Sequence, residues 1–139
     1  MEMIDILCYI ITLLYASVYD YKYLTVQNRI NVVIAFLAIM CSDFTIWRLL
    51  VAFLFTLPIL LLAVYKNSIG GGDIKFIFSN ILYLGFSAGY AGLIIGLPLA
   101  VLFALVSKYI LKQQIDKIPL VPFLSIGFLV TIIMRVIVN

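Results

Sequence analysis

The segment FTIWRLLVAFLFTLPILLLAVY, residues 44–65, carries a single charged side chain, Arg48. A transmembrane helix needs about 17–25 predominantly apolar residues, and this segment meets that requirement. The rest of the chain is similar, since 66% of its 139 residues are hydrophobic and 11% are charged. An average soluble domain has about 25% charged residues. The sequence therefore predicts an integral membrane protein with one domain, residues 1–139, and little mass outside the lipid bilayer.

The composition also excludes other classes of protein. Two cysteines cannot supply the disulfide framework of a small secreted domain, and the high hydrophobicity excludes a disordered chain. The nine basic residues are scattered along the chain, so we expect no nucleic-acid partner. Cys8 and Cys41 lie within apolar stretches and are expected to be buried thiols. Because the chain contains no histidine, we expect neither a metal site nor a cofactor.

Charged residues and turn formers divide the chain into six apolar stretches. A bundle of six transmembrane helices is therefore the predicted fold class. The fourth stretch is short for a full span, so either it begins among the lipid headgroups or its boundary with the fifth is misplaced. Short spans interrupted by glycine are tolerated where the backbone faces protein or water. The six stretches are residues 3–19, 26–41, 44–65, 74–86, 90–109 and 119–138.

The distribution of charge predicts the orientation of this bundle. Glu2 and Asp5 replace the basic residues that begin a cleaved signal peptide, and an acidic start indicates an extracytoplasmic N-terminus. The first, third and fifth loops carry seven basic residues, whereas the opposite side carries only Arg48 and Arg135. By the positive-inside rule, these three loops are cytoplasmic and both termini are extracytoplasmic. The seven basic residues are Lys22, Arg29, Lys66, Lys75, Lys108, Lys112 and Lys117.

Two of the six acidic residues are candidates for chemistry. Asp20 directly follows the first apolar stretch, and Asp73 ends the run SIGGGD, residues 68–73. On the predicted topology both lie at the cytoplasmic side at similar depth, on different helices. The other four acids need no function: they lie at the outer N-terminus, in an outer loop, or in a lysine-rich loop. Those four are Glu2, Asp5, Asp43 and Asp116.

Each candidate also has a simple structural explanation when it is taken alone. Asp73 is well placed as the N-cap of the fourth helix, and Asp20 lies at a membrane boundary beside Lys22. The three glycines at residues 70–72, however, cost conformational entropy and are useful where a backbone approaches another chain segment closely. Two neighbouring carboxylates cannot both ionise, so the pair holds one proton. The ionised member can activate a water molecule, and the protonated member can donate to a carbonyl oxygen.

At these residues the sequence resembles the type IV prepilin peptidases, which are membrane aspartyl proteases with a GxGD motif. GGGDIK, residues 70–75, matches that motif. DYKYLTVQN, residues 20–28, resembles the family segment D-x5-I-P-N, with Gln27 where the family usually has proline. IPLVPFLSIG, residues 118–127, resembles the proline-rich start of the last helix in the family. The three matches occur in family order and, with the six spans, cover essentially the whole chain.

The resemblance implies a function and a set of site residues. Asp20 and Asp73 would be catalytic and would cleave a prepilin or pilin-like precursor, with a basic leader and a hydrophobic helix, at the cytoplasmic face of the inner membrane. The backbone of Gly70, Gly71 and Gly72 would shape the site. Lys75 would either bias the carboxyl pair or extend to the headgroups, and Asn28 would orient the loop after Asp20.

The resemblance also implies what this chain lacks. Large bacterial members carry a cytoplasmic insert with two CxxC pairs, read as a zinc site, and an N-methyltransferase activity. This chain has no CxxC and a short first loop, so we expect cleavage without methylation. Two other functions stay open on the sequence. One is a catalytically silent membrane subunit of a pilus or secretion assembly, or a small carrier. The other is a protease of unrelated membrane substrates, like GxGD proteases of the presenilin type.

Overall fold

The computed structural model of the chain describes residues 3–41, 45–66, 70–109 and 118–138. Within these ranges the secondary structure is helical, and each of the six predicted apolar stretches corresponds to one helix. Glu2, Asp43, Lys112, Asp116 and Lys117 lie outside the described residues, as do Ser68 and Ile69. The six helices are α1 (Met3–Tyr23), α2 (Asn28–Cys41), α3 (Ile46–Lys66), α4 (Gly71–Leu84), α5 (Phe86–Tyr109) and α6 (Val121–Val138).

Within the described ranges, three segments are long and apolar enough to cross a membrane, namely Met3–Tyr23, Ile46–Tyr65 and Phe86–Tyr109. Asn28–Met40 and Val121–Ile137 are shorter apolar helices. Many large apolar side chains on these helices face outward, which suits a surface covered by lipid. The described part of the chain is therefore an all-helical bundle of membrane type.

α4 is a short helix enclosed by the other helices. Nine of its residues are buried, from Ile74 to Leu84. A 14-residue helix is about 21 Å long, which is less than the roughly 30 Å of a hydrocarbon core. Because α4 packs against α2, α3, α5 and α6, its ends can lie within protein rather than lipid.

The boundary between the fourth and fifth helices lies at Gly85. This glycine has a φ of 81°, in the left-handed region that glycine adopts readily, and α5 begins directly after it at Phe86. The predicted start of the fifth stretch at residue 90 was therefore too late. Phe86 and Tyr90 stack on one face of α5, and the ring of Phe55 from α3 packs edge-on against each.

α6 packs most extensively against α5, through glycine. A Cβ atom added to Gly127 would overlap the carbonyl oxygen of Gly92, and one added to Gly96 would lie 2.8 Å from the Cα of Leu124. The two helix backbones are therefore in direct contact, as small residues allow between membrane helices. This contact fixes the position of α6 along α5.

The ends of the helices form two groups. At one end of the bundle, the C-terminal turn of α1 contacts the N-termini of α2 and α6. At the same end, the N-terminus of α2 contacts the N-terminus of α4. At the other end, the Tyr83 hydroxyl near the end of α4 donates to the carbonyl oxygen of Asp5 in α1, at 3.2 Å. α1 therefore runs antiparallel to α4 and α6.

Cys8 corrects one prediction, since it is an exposed free thiol and not a buried one. The buried face of α1 follows the stripe Tyr9, Leu13, Ala16 and Asp20. Successive residues of a helix point about 100° apart, so Cys8 falls outside that stripe. Apolar neighbours in sequence therefore did not indicate burial within the protein at this position.

Candidate active site

Asp20 lies in the last turns of α1 and is 3% exposed. α1 continues four residues beyond the predicted span and ends at Tyr23, because the next residue, Leu24, adopts a left-handed conformation with φ of 52°. The N–H of Leu24 donates to the carbonyl oxygen of Asp20 at 2.7 Å, which closes the helix. The aspartate is thus part of a regular helix that ends immediately behind it.

The carboxylate of Asp20 is held by the start of α6. Its Oδ2 atom accepts a hydrogen bond from the backbone N–H of Val121 at 3.0 Å, and the N–H of Leu120 also donates to it. The first N–H groups of a helix have no partner within the helix, and the helix dipole favours negative charge there. Lys22, which was the simple explanation for Asp20, instead has its ammonium over the ring of Tyr23.

Asp73 occupies the third position of α4 and is not the N-cap residue of that helix. The N-cap is Gly70, which makes no side-chain cap hydrogen bond, and Asp73 donates its own N–H to the Gly70 carbonyl oxygen at 3.0 Å. The Gly70 N–H in turn donates to the Asp73 carboxylate. This arrangement points the half-buried carboxylate back across the glycine run and away from the apolar segment that begins at Ile74.

The electrostatic environment links the two carboxylates. Burial raises the pKa of Asp73, and the nearby negative charge of Asp20 raises it further, whereas the hydrogen bond from Gly70 lowers it. The pKa of Asp73 is about 6, against an ordinary value of 3.8. Asp20 and Asp73, from two different helices, therefore lie close enough for their charges to interact, and Asp73 binds a proton more readily than an isolated aspartate.

The three glycines of the motif have different surroundings. A Cβ atom at Gly72 would lie 3.1 Å from the Cβ and 3.2 Å from the carbonyl oxygen of Val26, in the segment between α1 and α2. A Cβ at Gly70 would lie 3.2 Å from the Asp73 carboxylate. At Gly71, nothing lies within 4 Å. The backbone of α4 thus approaches the segment between α1 and α2 most closely at Gly72, while Gly70 leaves room for the carboxylate of Asp73.

Lys75 and Asn28 contact each other. The Nζ atom of Lys75 donates to Oδ1 of Asn28 at 3.1 Å, on the exposed side of the site. This hydrogen bond joins the first turn of α4 to the first turn of α2. It acts beside the contact between Gly72 and Val26, so α2 and α4 are held together at the level of the carboxylates.

Val121 is a site residue to which the sequence assigned no role. Its contribution is a backbone N–H, which no side-chain motif can reveal. The available signal was Pro122, because proline is common in the first turn of a helix and a helix start supplies free N–H groups.

Two cavities, of about 370 and 850 Å³, lie at the other end of the bundle. Arg135 lines both of them, and Arg48 lines the larger. Neither cavity includes Asp20 or Asp73, and within the described ranges no three His, Cys, Asp or Glu side chains group as a metal site. The carboxyl pair, and neither of these two cavities, therefore marks the candidate active site.

The surroundings of the glycines generate a first prediction. Gly72→Ala lowers the free energy of unfolding by about 1–3 kcal/mol, because the new methyl group presses on the backbone at Val26. Gly71→Ala, the matched control, raises it by about 0.4–1 kcal/mol through a less flexible unfolded chain. Thermal unfolding of both variants in detergent micelles measures the difference. Equal stability of the two variants would contradict the close contact at Gly72.

The pairing of the carboxylates generates a second prediction. An apolar carbodiimide modifies protonated carboxyl groups, so Asp73 should be labelled with a midpoint near pH 6 and less at higher pH. Asp20→Asn removes the charge that raises the pKa of Asp73, and the midpoint should move to lower pH. Asp5→Asn, about 22 Å away along α1, should leave it unchanged. Mass spectrometry of the peptide that contains Asp73 follows the labelling, and an unmoved midpoint in Asp20→Asn would refute the coupling.

Comparison with known proteins confirms the resemblance seen in the motifs. A model of the type IV leader peptidase family matches residues 7–134, a range that includes both aspartates, the glycine run and the start of α6. No curated protein and no solved structure matches the chain. The helices long enough to span a membrane agree with a multi-pass membrane protein. The chain therefore belongs to the type IV leader peptidase family, a family of membrane peptidases associated with pilus biogenesis and protein secretion.

Proposed function

We propose that this protein is an aspartyl endopeptidase that removes the leader peptide from type IV prepilins or pilin-like precursors. Asp20 and Asp73 are its catalytic residues, and no metal ion takes part. The observation that carries the proposal is the electrostatic coupling of a buried and a half-buried carboxyl group at one end of the bundle, in a chain of this family.

The two carboxyl groups take different roles in the proposed reaction. Asp73 holds the shared proton and hydrogen-bonds to the oxygen of the scissile carbonyl. Asp20, whose charge is stabilised by two backbone N–H groups of the α6 start, accepts a proton from the attacking water. Oxygen–carbon bond formation gives a tetrahedral intermediate. Its collapse breaks the carbon–nitrogen bond, and the leaving amine takes up a proton from the pair.

The remaining site residues shape this arrangement. Gly72 allows the segment at Val26 to lie against α4, and Gly70 leaves room for the Asp73 carboxylate. Gly71 adds backbone freedom within the same turn. Lys75 and Asn28 hold the first turns of α4 and α2 together. These residues position the aspartates and the substrate. They do not exchange protons with the substrate.

In this proposal the protein is a single peptidase domain of six transmembrane helices in the cytoplasmic membrane. Both of its termini are extracytoplasmic. The positive-inside rule supports this orientation, because seven basic residues fall on one side and two on the other. The aspartates then lie at the cytoplasmic face, where a basic leader would be held. The product keeps an unmethylated N-terminus, since the chain has no CxxC insert.

Loss of either aspartate should abolish processing. Membranes that contain the wild type and a pilin precursor from the same genome should yield a shortened product. Asp20→Asn and Asp73→Asn should each reduce its rate of formation by about 10²–10⁴-fold, because one proton-transfer group is lost. Gel mobility, N-terminal sequencing and the mass of the new N-terminus measure cleavage, the cut site and methylation.

Asp5→Asn is the matched control, because it removes an acid from the other end of α1 and should leave cleavage unchanged. Normal processing by either active-site variant, at equal protein levels, would refute the carboxyl pair as the catalytic group. A wild type that cleaves no pilin-like precursor would instead indicate a silent subunit.

The proposed orientation predicts the accessibility of single cysteines in intact cells. In a background of Cys8→Ser and Cys41→Ser, Met3→Cys should react with an impermeant maleimide added outside. Tyr23→Cys, at the other end of α1, should react only after the cells are permeabilised. Both parent residues are exposed, so protein burial does not limit either reaction. The opposite labelling pattern would invert the topology and place the aspartates outside.

A further inference from the structure

Asn31 is a buried amide without a hydrogen-bond partner in the described part of the protein. Its side chain is 7% exposed, and neither its Nδ2 nor its Oδ1 atom is bonded. A buried polar group without a partner destabilises a folded protein, so native structures rarely keep one without a reason. The cost is greatest in a lipid-embedded bundle, where little water is at hand.

Asn80 shows that this fold can satisfy a buried amide. Its Nδ2 donates to the carbonyl oxygen of Phe76 at 2.7 Å, and its Oδ1 accepts from the hydroxyl of Tyr9. Tyr9 also stacks on Tyr83, so this polar cluster is closed within the core. Asn31 is 7% exposed and Asn80 is 0% exposed, and of the two only Asn31 leaves both of its buried amide atoms without a partner among the described residues.

Asn31 lies next to the candidate active site. It follows Asn28 by three residues, so both side chains lie on the same face of α2, with Asn31 about 4.5 Å deeper. Asn28 contacts Lys75 at the level of the GGGD turn. The Asn31 amide is thus about one helical turn deeper in the bundle than the hydrogen bond between Asn28 and Lys75. It lies on the side of the site that carries Asp73.

The other buried side-chain polar atoms without a partner among the described residues lie in the same half of the bundle. They are the hydroxyl oxygens of Ser107, near the end of α5, and Ser125, one turn after Val121 in α6. A serine hydroxyl can rotate onto a carbonyl oxygen of the preceding turn, as Ser17 does in α1. A side-chain rotation of this kind cannot satisfy the Oδ1 atom of Asn31, which needs a donor.

We propose that Asn31 binds the main chain of the precursor beside the scissile bond, an inference that rests on the proposed function. Nδ2 donates to a carbonyl oxygen of the substrate, and Oδ1 accepts from an N–H group. A helical substrate has no free backbone groups in its interior, whereas an extended segment offers both. Asn31 therefore selects substrate that is extended where it meets the aspartates, which is also the form in which a peptide bond is open to attack.

The test compares Asn31→Leu, a change of similar volume, with Asn80→Leu. In the cleavage-deficient Asp73→Asn protein, Asn31→Leu should weaken the binding of a fluorescent precursor peptide about tenfold. The peptide contains the leader and the start of the hydrophobic segment, and binding is measured by anisotropy with the full chain in lipid nanodiscs. The melting temperature of Asn31→Leu, with the aspartates intact, should stay unchanged or rise. That of Asn80→Leu should fall, because the Tyr9 hydroxyl loses its acceptor.

Three results would overturn this proposal. Peptide affinity could be the same with and without Asn31→Leu, or the peptide could fail to bind either protein. The melting temperature of Asn31→Leu could also fall as far as that of Asn80→Leu, which would show that the amide is already bonded in the free protein. Failure of the proposed function would give a different result. The wild type would bind the precursor peptide, Asn31→Leu would weaken that binding, and the wild type would not cleave the precursor.

Discussion

A hydrogen bond between residues 101 positions apart organises the site: the backbone N–H of Val121 donates to the carboxylate of Asp20. A carboxylate that is 3% exposed in an apolar bundle needs such a donor, since burying a charge without hydrogen bonds is strongly unfavourable. The start of a helix supplies free N–H groups together with a favourable dipole. α6 must therefore begin at the depth where α1 places its aspartate.

Glycine sets that depth. Direct backbone contact at Gly92, Gly96 and Gly127 fixes α6 along α5 and leaves no room for a side chain between them. A second close contact, between Gly72 and Val26, fixes α4 against the segment that follows α1. At Gly96 and Gly127 the nearest atoms belong to the backbone, which cannot change rotamer to relieve a clash. The two aspartates are consequently brought together by helices that have little freedom to shift.

The bundle divides into two chemically different halves. In the half away from the aspartates, buried polar side chains such as Tyr9, Asn80 and Thr131 bond within the chain. In the aspartate half, Asn31, Ser107 and Ser125 keep unbonded polar atoms. This division fits a protein that is rigid at one end and meets a polar peptide at the other. It also agrees with the shortness of α4, whose N-terminus is exposed toward the aspartate end.

The sequence by itself determined the class of the molecule, because long apolar stretches separated by a few charges have only one stable environment. It also determined the family and the two candidate aspartates, since the motifs around them are contiguous in the chain. Two helix boundaries differ from the apolar runs: Asp20 falls inside α1, which ends before the left-handed Leu24, and α5 begins at Phe86, directly after Gly85. Cys8 was misjudged, because apolar neighbours in sequence do not distinguish lipid from a protein core.

Only the tertiary structure decided how the site is held. The donor to Asp20 is a backbone group from the far end of the chain, and the proline that marks the start of α6 does not reveal which side chain that helix start contacts. The roles of the three motif glycines separated only when their neighbours were known, because Gly71 faces open space and Gly72 faces Val26. The difference between Asn31 and Asn80 likewise depends on which helices surround them. Pairings between distant segments are set by packing, which a linear pattern of residues does not encode.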